Sequence, residues 1–483
     1  MLLYAALVLA LAAPERCVDL LSLADVHGQV ARLPRLSAQL QGVRASGRAL
    51  LLDSGDSLQG TLPAALSRGE AVVVALGAMG VAAAAVGNHD FDYGAAALRQ
   101  RVESAPFPFL SANLRERATG RPPPWKNLFP SRIFRVPGGP VVGVFGVSAE
   151  DTPSLTMPGN VQGLLFTPEA EAAVVEARAL RAQGAELVVG LVHGGGRCAD
   201  LRDPEDLSSC DRESDLFRLA RALPPGLVDA LLGGHTHAFV NHRVNGVALV
   251  QAGARAEAVG WLTLCAGAPP QFHPPLRAEL GAKGTEGDPK VASAIAPFLR
   301  AYDASLKQPL GVTLSVPLSR DPARESPLGA ATAQAVRAAL HTDFGLVNSG
   351  GLRADLTPGD LTVGQVFEAL PFEDDLAVIT LPGSTLLDLV RALASGGKGF
   401  PQLAGLVFDG QSARSCAGTP LDPSRTYTLG TNQFLALGGD GTGKVISRLP
   451  AGAVKMREGL RMRDALVDWL RRAAPARPPD ACP

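Results

Sequence analysis

The sequence predicts an α/β protein made of two large regions. Short runs of apolar residues end in polar or glycine-rich turns, and longer stretches rich in Ala, Leu and Arg separate these runs. The chain has 483 residues, more than the roughly 250 to 300 at which a single hydrophobic core stops growing. The clearest predicted strands of the first region are residues 18–24, 49–53, 141–147, 187–192 and 228–232.

The composition is that of a globular protein with a small ligand. Apolar residues make up 46% of the chain and charged residues 19%, which excludes a disordered chain. The formal net charge is -1, and no basic stripe of the kind that follows a phosphate backbone is present. We therefore expect no polymeric nucleic acid as a partner.

The N-terminus predicts export to the periplasm or the extracellular space. Residues 1–13 form an apolar run that ends in Ala-Ala before Pro14, as in the core and cleavage region of a signal peptide. No Lys or Arg precedes the run, so three interpretations stay open: a signal with an atypical start, an apolar first strand, and an anchor. We predict a signal peptide over residues 1–16. The run is shorter than the roughly 20 residues that span a bilayer, and no later stretch qualifies, so we expect no integral membrane span.

Six cysteines are compatible with disulfides in an exported protein. Cys198 and Cys210 lie close together in a polar segment, and we predict that they pair. The alternative is six free thiols in a cytosolic enzyme. The pairing of the other cysteines, which are Cys17, Cys265, Cys416 and Cys482, stays open.

Composition shifts also predict the domain boundaries. A stretch rich in Pro and Gly, residues 267–289, follows the last motif of the first region, and a helical pattern over residues 291–307 comes next. A second series of strand and helix patterns then runs to a Pro-rich end. We predict a first domain over 17–280, a linker helix over 285–310, a second α/β domain over 311–473 and a loose tail over 474–483.

Potential metal ligands follow the predicted strands of the first region. Five of the eight histidines lie in these segments. Because site chemistry in α/β folds collects at the carboxyl ends of buried strands, their position matters more than their residue types alone. The segments are Asp25-Val26-His27, Gly55-Asp56, Gly87-Asn88-His89-Asp90, Val192-His193-Gly194 and Gly233-Gly234-His235-Thr236-His237.

The spacing within these segments suits two divalent ions. In extended chain, residues two apart face the same way, so Asp25 and His27 can bind one ion together, and His235 and His237 can do the same. Mixed imidazole and carboxylate ligands favour Zn, Mn, Fe or Co over Ca or Mg. Two such ions can hold a nucleophile and neutralise charge on a phosphate, which is the chemistry of phosphoester hydrolysis. The cofactors we predict are two divalent ions, Zn, Mn or Co.

The order of motifs, DxH, GDxxQG, GNHDFD, VHGG and GGHTH, resembles the calcineurin-like metallophosphoesterases, and specifically their 5'-nucleotidase branch. The resemblance covers nearly the whole chain. Many members carry Gln or Asn where His237 stands, so this position departs from their pattern. The resemblance implies that one ion is held by Asp25, His27, Asp56 and His237, and the other by Asp56, Asn88, His193 and His235, with Asp56 bridging the two.

The resemblance also implies a catalytic pair, His89 and Asp92. The carboxylate would orient the imidazole and raise its pKa, and protonated His89 would stabilise charge on the phosphoryl or leaving oxygen. The alternative is that His89 only packs its turn.

Motifs of the second region resemble the 5'-nucleotidase C-terminal domain. They contain Asn348-Ser349-Gly350-Gly351-Leu352-Arg353, Leu370-Pro371-Phe372 and a segment from Thr431 to Gly441. The resemblance implies that Phe372 and Phe434 enclose a nucleobase, with Asp440 and Asn348 on the ribose or base edge. Any base offers a face for stacking, which allows broad base tolerance. The alternative is that both rings belong to the core.

Two arginines are candidates for binding phosphate, because a guanidinium matches the geometry of phosphate oxygens. Arg353 follows two glycines, and Arg324 resembles the family's other phosphate-facing arginine. Some positions depart from the family pattern and put the substrate range in doubt. They are Ala330 and Ala331 after Gly329, and Glu373 and Asp374 after Phe372.

The fold that the resemblance implies is a four-layer metallophosphoesterase sandwich followed by a smaller α/β domain. The implied activity is hydrolysis of nucleoside 5'-monophosphates to nucleoside and phosphate, in a site between the domains. Alternatives with the same ions are exported hydrolases of UDP-sugars, nucleoside di- or triphosphates, or 2',3'-cyclic nucleotides, and a thiosulfohydrolase-like relative. A non-enzymatic alternative is an exported nucleotide- or metal-binding protein.

Overall fold

The computed structural model describes residues 16–277, 287–395, 400–473 and 479–482. The predicted signal peptide, apart from Arg16, lies outside the described residues. Within these ranges, no helix is both long enough and apolar enough to cross a membrane.

The N-terminal region, residues 16–277, contains two large sheets. Its strands are β1 (Cys17–Leu23), β2 (Ala49–Asp53), β3 (Val81–Ala85), β4 (Phe109–Leu110), β5 (Leu114–Glu116), β6 (Leu128–Phe129), β7 (Ser131–Arg135), β8 (Val141–Val147), β9 (Leu164–Phe166), β10 (Leu187–Val192), β11 (Ala230–Gly233), β12 (Phe239–Val244), β13 (Val247–Ala252), β14 (Ala258–Cys265) and β15 (Gln271–Arg277). One sheet has the order β15-β14-β1-β2-β3-β4-β6 and the other β12-β13-β11-β10-β8-β7.

The two sheets pack face to face around one buried apolar layer. Leu20 and Leu52 of the first sheet lie in the same cluster as Val144, Val189 and Leu232 of the second. Strands β1 to β4 run parallel to one another, as do β8, β10, β11 and β13. The loops after these strands therefore open toward the same edge of each sheet, which is where the predicted ligands lie.

Helices cover the outer face of each sheet. The α-helices are α1 (Leu33–Gln39), α2 (Gln41–Arg44), α3 (Leu62–Leu66), α4 (Glu70–Met79), α5 (Ala95–Ser104), α6 (Thr152–Leu155), α7 (Glu169–Ala182), α8 (Asp215–Ala222) and, beyond residue 286, α9 (Pro289–Leu306). Buried residues of α1 and α4 pack outside β1 and β2, and those of α7 and α8 pack outside β8 and β10. Helix, sheet, sheet and helix make four layers, which confirms the predicted sandwich.

Helix α9 confirms the helical pattern that the sequence predicts over residues 291–307. Its N-terminus is capped by Asp288, whose side chain accepts a hydrogen bond from the Lys290 amide, and Pro289 occupies the first turn, where its missing N–H costs nothing. Buried Val291 and Ile295 pack in the N-terminal core. The helix thus joins the chain's second part to the first through an apolar contact.

The C-terminal region, residues 287–482, has its own sheet, with the order β20-β17-β23-β19-β24. Its strands are β16 (Pro309–Leu314), β17 (Phe344–Asn348), β18 (Gly359–Thr362), β19 (Asp375–Pro382), β20 (Pro401–Ala404), β21 (Leu406–Phe408), β22 (Ala413–Ser415), β23 (Thr426–Asn432) and β24 (Val454–Arg461). Its further helices are α10 (Pro327–Leu340), α11 (Val363–Ala369), α12 (Gly383–Ser395), α13 (Gln433–Ala436), α14 (Gly443–Ile446) and α15 (Met462–Ala473).

Two helix layers enclose this second sheet. Residues of α10 and α15 form one buried cluster with it, and residues of α12 form another on the opposite face. This arrangement confirms a separate α/β unit after the four-layer sandwich.

All six cysteines form disulfides. Cys198 pairs with Cys210, as predicted, and the other two bonds join Cys17 to Cys265 and Cys416 to Cys482. The last bond corrects the prediction of a loose tail for residues 479–482, because it attaches Cys482 to the domain while Ala481 is buried. Residues 474–478 and 483 lie outside the described part of the chain.

Candidate active site

One cluster of potential ligands consists of Asp25, His27 and His237. The Nε2 atoms of His27 and His237 lie 2.9 Å apart, and Oδ1 of Asp25 lies 3.8 Å from Nε2 of His237. Asp25 and His27 follow β1, whereas His237 follows β11 on the other sheet. The packing of the two sheets thus brings together two imidazoles that are 210 positions apart in the chain.

A second cluster consists of Asp56, His193 and His235, with Asn88 beside it. Nε2 of His193 lies 3.1 Å from Oδ2 of Asp56 and 3.0 Å from Oδ1 of Asn88. The other ring nitrogen, Nδ1, lies 2.9 Å from the backbone oxygen of Ser54, which orients the ring toward Asp56 and Asn88. The structure therefore brings together all seven predicted ligands in two adjacent groups.

The backbone of these loops is strained. Five of the predicted ligands adopt φ in the left-handed region, which non-glycine residues adopt only when their surroundings hold them there. They are Asp25 (51°), His27 (46°), Asp56 (55°), His235 (73°) and His237 (56°). Gly87 is required for a steric reason, because a Cβ at this position would collide with the Asp56 carboxylate.

Asp90 is a residue of this site that the sequence analysis did not select. Its carboxylate accepts hydrogen bonds from the backbone N–H groups of Asp56, Ser57, Leu58 and Gly87, at 2.8 to 3.2 Å. It thereby joins the loop after β2 to the loop after β3. The signal that pointed to it was an acidic residue directly after His89 in an otherwise ligand-bearing motif.

Burial dominates the charge state of the imidazoles. Burial first, and then the positive charge of Arg353, lowers the pKa of His27 and His237 well below the usual range. Burial and the neighbouring His193 lower the pKa of His235 to about 3. These rings are therefore neutral at pH 7, which is the form that binds metal ions.

The carboxylates of the two clusters differ in charge. Burial raises the pKa of Asp25 to about 7. Burial also opposes ionisation of Asp56, but the imidazoles of His193 and His89 outweigh it and hold the Asp56 pKa well below its usual range. Burial disfavours a charge on His193, but Asp56 outweighs burial and raises the pKa of His193 to about 10, so this ring holds a proton that must leave before it can bind an ion. A carboxylate, two imidazoles and a carboxamide together are a donor set that fits Zn, Mn or Co.

His89 and Asp92 form the predicted pair. Nδ1 of His89 lies 2.8 Å from Oδ2 of Asp92, and the second oxygen of Asp92 accepts a hydrogen bond from the Thr156 hydroxyl. Burial disfavours a charge on His89, but the carboxylates of Asp92 and Asp56 outweigh burial and raise its pKa. The ring is thus held beside the clusters in a form that gains a proton readily.

A cavity of about 760 Å³ lies between the two regions. Its N-terminal wall includes Asp56, Asn88, His89, His235 and His237. The C-terminal wall contains five of the six predicted substrate residues, which are Asn348, Arg353, Phe372, Phe434 and Asp440. The structure thus places the candidate rings and the candidate ligands around the same space.

The cavity residues of the C-terminal region are held by contacts among themselves and across the cavity. Nη2 of Arg353 lies 2.9 Å from Nε2 of His27, and the Phe372 ring lies 5.4 Å from the His89 ring. The Asn348 amide donates a 2.6 Å hydrogen bond to Asp440. These contacts place the arginine next to the first ligand cluster and one aromatic ring next to the His89–Asp92 pair.

Arg324 does not lie in this cavity, and its predicted position is therefore corrected. Its side chain is 80% exposed and is paired with Asp321 three residues earlier, at 2.6 Å, which holds the guanidinium at the surface. Arg320 and Arg197 line the cavity instead. The sequence analysis missed both, because neither belongs to a motif.

Asp374 and Asn432 were also missed as cavity residues. Asp374 is buried, and the Asn432 amide donates a hydrogen bond of 3.1 Å to its carboxyl group. Burial raises the pKa of Asp374 to about 7. The C-terminal wall of the cavity therefore carries a carboxylic acid, Asp374, whose ionisation is disfavoured and which follows Phe372 by two residues.

Comparisons with known proteins agree with this geometry. Residues 19–239 match the calcineurin-like phosphoesterase family, and residues 305–448 match the 5'-nucleotidase C-terminal domain. Protein UshA of Yersinia enterocolitica is 28% identical over 461 residues, which cover 84% of this chain and 80% of that protein. Endonuclease YhcR of Bacillus subtilis is 26% identical over 457 residues, which cover 87% of this chain and 35% of YhcR.

A solved structure extends the likeness to three dimensions. The crystal structure of a 5'-nucleotidase precursor from Thermus thermophilus has a TM-score of 0.77 and 26% sequence identity, and the match covers 95% of this chain and 97% of that one. The chain belongs to the 5'-nucleotidase family, with a calcineurin-like phosphoesterase domain followed by a 5'-nucleotidase C-terminal domain.

Proposed function

We propose that this chain hydrolyses nucleoside 5'-monophosphates to nucleoside and phosphate, using two divalent ions. The observation that carries the proposal is the cavity, which has the ligand clusters and the His89–Asp92 pair at the end formed by the N-terminal region, and Phe372 and Phe434 at the end formed by the C-terminal region, with the Phe372 ring facing His89. A volume of about 760 Å³ is within the size range of small-molecule sites. A nucleotide needs both ends, because its phosphate and its base differ in chemistry.

We assign the ligands as the resemblance implies. Asp25, His27, Asp56 and His237 would hold one ion, and Asp56, Asn88, His193 and His235 the other. When bound, such ions activate water and neutralise charge on phosphate oxygens. The neutral rings of His27, His235 and His237 and the ionised Asp56 support this assignment.

The protein's own groups would position and protonate the substrate. Arg353 binds phosphate oxygens through its guanidinium, beside the first ligand cluster. His89 donates its Nδ1–H to the Asp92 carboxylate and presents Nε2 to the phosphoryl or leaving oxygen, where a proton stabilises negative charge. Phe372 and Phe434 hold the base, while Asn348 and Asp440 offer polar atoms to the ribose or base edge.

A second candidate is a related hydrolase of UDP-sugars or of nucleotides with two or three phosphates. Arg197 and Arg320 favour it, because they add two guanidinium groups to the cavity wall beyond Arg353. In both cases we propose export, as the N-terminal sequence predicts.

The test is phosphate release by the purified chain, stripped of metal and reloaded separately with Mn, Zn, Co or Mg. The substrates are AMP, ATP, UDP-glucose, a cyclic nucleotide and phenyl phosphate. Hydrolysis of UDP-glucose gives UMP and glucose 1-phosphate, and hydrolysis of a cyclic nucleotide gives a nucleoside monophosphate, so these products are measured directly by chromatography. Metal-dependent release that is faster from AMP than from phenyl phosphate supports the monophosphate assignment. Phosphate from ATP without phosphate from AMP, or UMP and glucose 1-phosphate from UDP-glucose without phosphate from AMP, favours the second candidate. No product from any substrate, by protein with verified bound metal, contradicts both.

A further inference from the structure

Three of the proposed ligands lie on two loops that meet through one buried glutamine, Gln251. His193 is on the loop after β10, and His235 and His237 are on the loop after β11. Gln251 lies on β13, is 1% exposed, and is not itself a potential ligand in either cluster. Its side chain lies behind both loops.

Gln251 forms a closed ring of hydrogen bonds with these loops. Its Oε1 accepts the Gly196 N–H at 3.0 Å, and its Nε2 donates to the Thr236 hydroxyl at 2.8 Å. The Thr236 hydroxyl in turn donates to the Gly196 backbone oxygen at 2.7 Å. Each donor in the ring has one acceptor, so the bonds fix the side-chain amide in one orientation.

The ring acts at the point where the two ligand clusters meet. Thr236 lies between His235, in the Asp56 cluster, and His237, in the Asp25 cluster. Both histidines have positive φ, so their conformation depends on what surrounds the loop. Gly195 packs so closely against Thr236 and the Gly234 oxygen that a Cβ there would collide with both, so the two loops are in direct contact at this point.

We infer that Gln251 is a positioning residue for both metal ions, acting through Thr236. A buried partner that orients ligands from behind typically changes metal affinity about 10- to 100-fold when it is replaced. The inference rests on the proposed metal sites. It goes beyond the proposed metal sites because it states that one side chain, Gln251, orients ligands of both clusters.

The test compares metal affinity and apo-protein stability in matched variants of the full chain. Gln251→Leu removes both bonds, Thr236→Val removes the hydroxyl, and Gln251→Glu keeps an acceptor for Gly196. Asn241→Leu is the control, because Asn241 is a buried amide on the adjacent strand β12 whose side chain bonds His273 rather than a ligand loop. Affinity for each Co²⁺ ion is measured by chelator competition, and unfolding of the stripped proteins by urea.

We expect Gln251→Leu to lower the affinity for both Co²⁺ ions by about 10- to 100-fold. Thr236→Val should lower both affinities by less, and Gln251→Glu should recover part of the affinity that Gln251→Leu loses. The control should keep wild-type affinity even where its urea midpoint falls as far as that of Gln251→Leu. Affinity within about twofold of wild type, loss of a single ion, or an equal loss in the control overturns the inference. Wild-type protein that binds no Co²⁺ overturns the proposed metal sites, which is a distinct result.

Discussion

The two ends of the cavity are built in different ways. At the N-terminal end, the candidate ligands come from loops that follow parallel strands of two sheets, and several have positive φ. At the C-terminal end, the polar residues Asn348, Asp374, Asn432 and Asp440 bond to one another beside two phenylalanines. In the proposed function, the first end would place donors around ions, and the second would present a preformed wall to an organic group.

This difference predicts which substitutions abolish the reaction and which only change the substrate. Changes at the N-terminal end should affect every phosphoester. Changes at the C-terminal end should affect nucleotides more than phosphoesters that have no base.

The largest effect is expected for Asp56→Ala. Its carboxylate belongs to one cluster and is assigned to both ions, so its loss should lower phosphate release by at least about 1000-fold with every substrate. Asp229→Ala is the control, because Asp229 pairs with Arg181 away from the cavity. If Asp56→Ala keeps activity within tenfold of wild type, which corresponds to a rise of about 1.4 kcal/mol in the activation barrier, Asp56 is not a carboxylate shared by both ions.

Asp92→Asn should lower kcat by about 100-fold, again with every substrate. Asp92 raises the pKa of His89, so the protonated ring, and with it activity, is lost as pH rises through that raised pKa. In the variant, the alkaline fall in kcat should begin at a lower pH. A kcat profile with an unchanged alkaline limb would mean that His89 is not the proton donor.

Phe434→Ala tests the opposite end of the cavity. Losing one stack of about 1 to 3 kcal/mol predicts that kcat/KM for AMP falls about 5- to 150-fold. Hydrolysis of phenyl phosphate should change little. Phe408→Ala, a half-buried phenylalanine of the same region, serves as the control. An equal loss of kcat/KM with AMP and with phenyl phosphate would argue against base stacking on Phe434 and against different roles for the two ends of the cavity.

The smallest effect is one of stability, from Asp374→Asn. The folded-state pKa of Asp374 is raised to about 7, so the folded protein holds this proton where the unfolded chain has lost it. The unfolding free energy of the wild type should therefore fall as pH rises from about 4 to about 7, because the unfolded chain loses this proton first. Compared with wild type, Asp374→Asn should gain stability at pH 8 relative to pH 5 in urea unfolding. Parallel pH dependence in the two proteins would contradict the raised pKa.

The same contrast explains what could be predicted from the sequence. Five of the predicted ligands follow strands, which a local sequence pattern can predict, and the parallel pairing of those strands brings their ends together. They are Asp25, Asp56, Asn88, His193 and His235. Sequence patterns predicted strand β2 with its observed bounds and β11 only approximately, as 228–232 rather than 230–233. Ligand roles themselves stay predictions until metal is measured.

The remaining residues depend on contacts that no local pattern encodes. Arg320 rather than Arg324 lines the cavity because the segment between them is irregular, and a pairing with Asp321 draws Arg324 outward. Asp374 is buried by its partner Asn432, 58 residues later in the chain. Gln251 also could not be predicted from a local pattern, because its inferred positioning role depends on two loops that pack over β13.

The positions of the disulfides along the chain have a consequence for motion. Two join residues within 17–265 and one joins residues within 416–482, so every cross-link closes on one side of the cavity. The bond from Cys17 to Cys265 closes a loop of 248 residues and, on loop-entropy grounds, stabilises the first part of the chain by about 5 kcal/mol. Oxidation therefore cross-links each half separately and places no covalent bond across the cavity, so a thiol reductant should lower the stability of each half without breaking any bond between them.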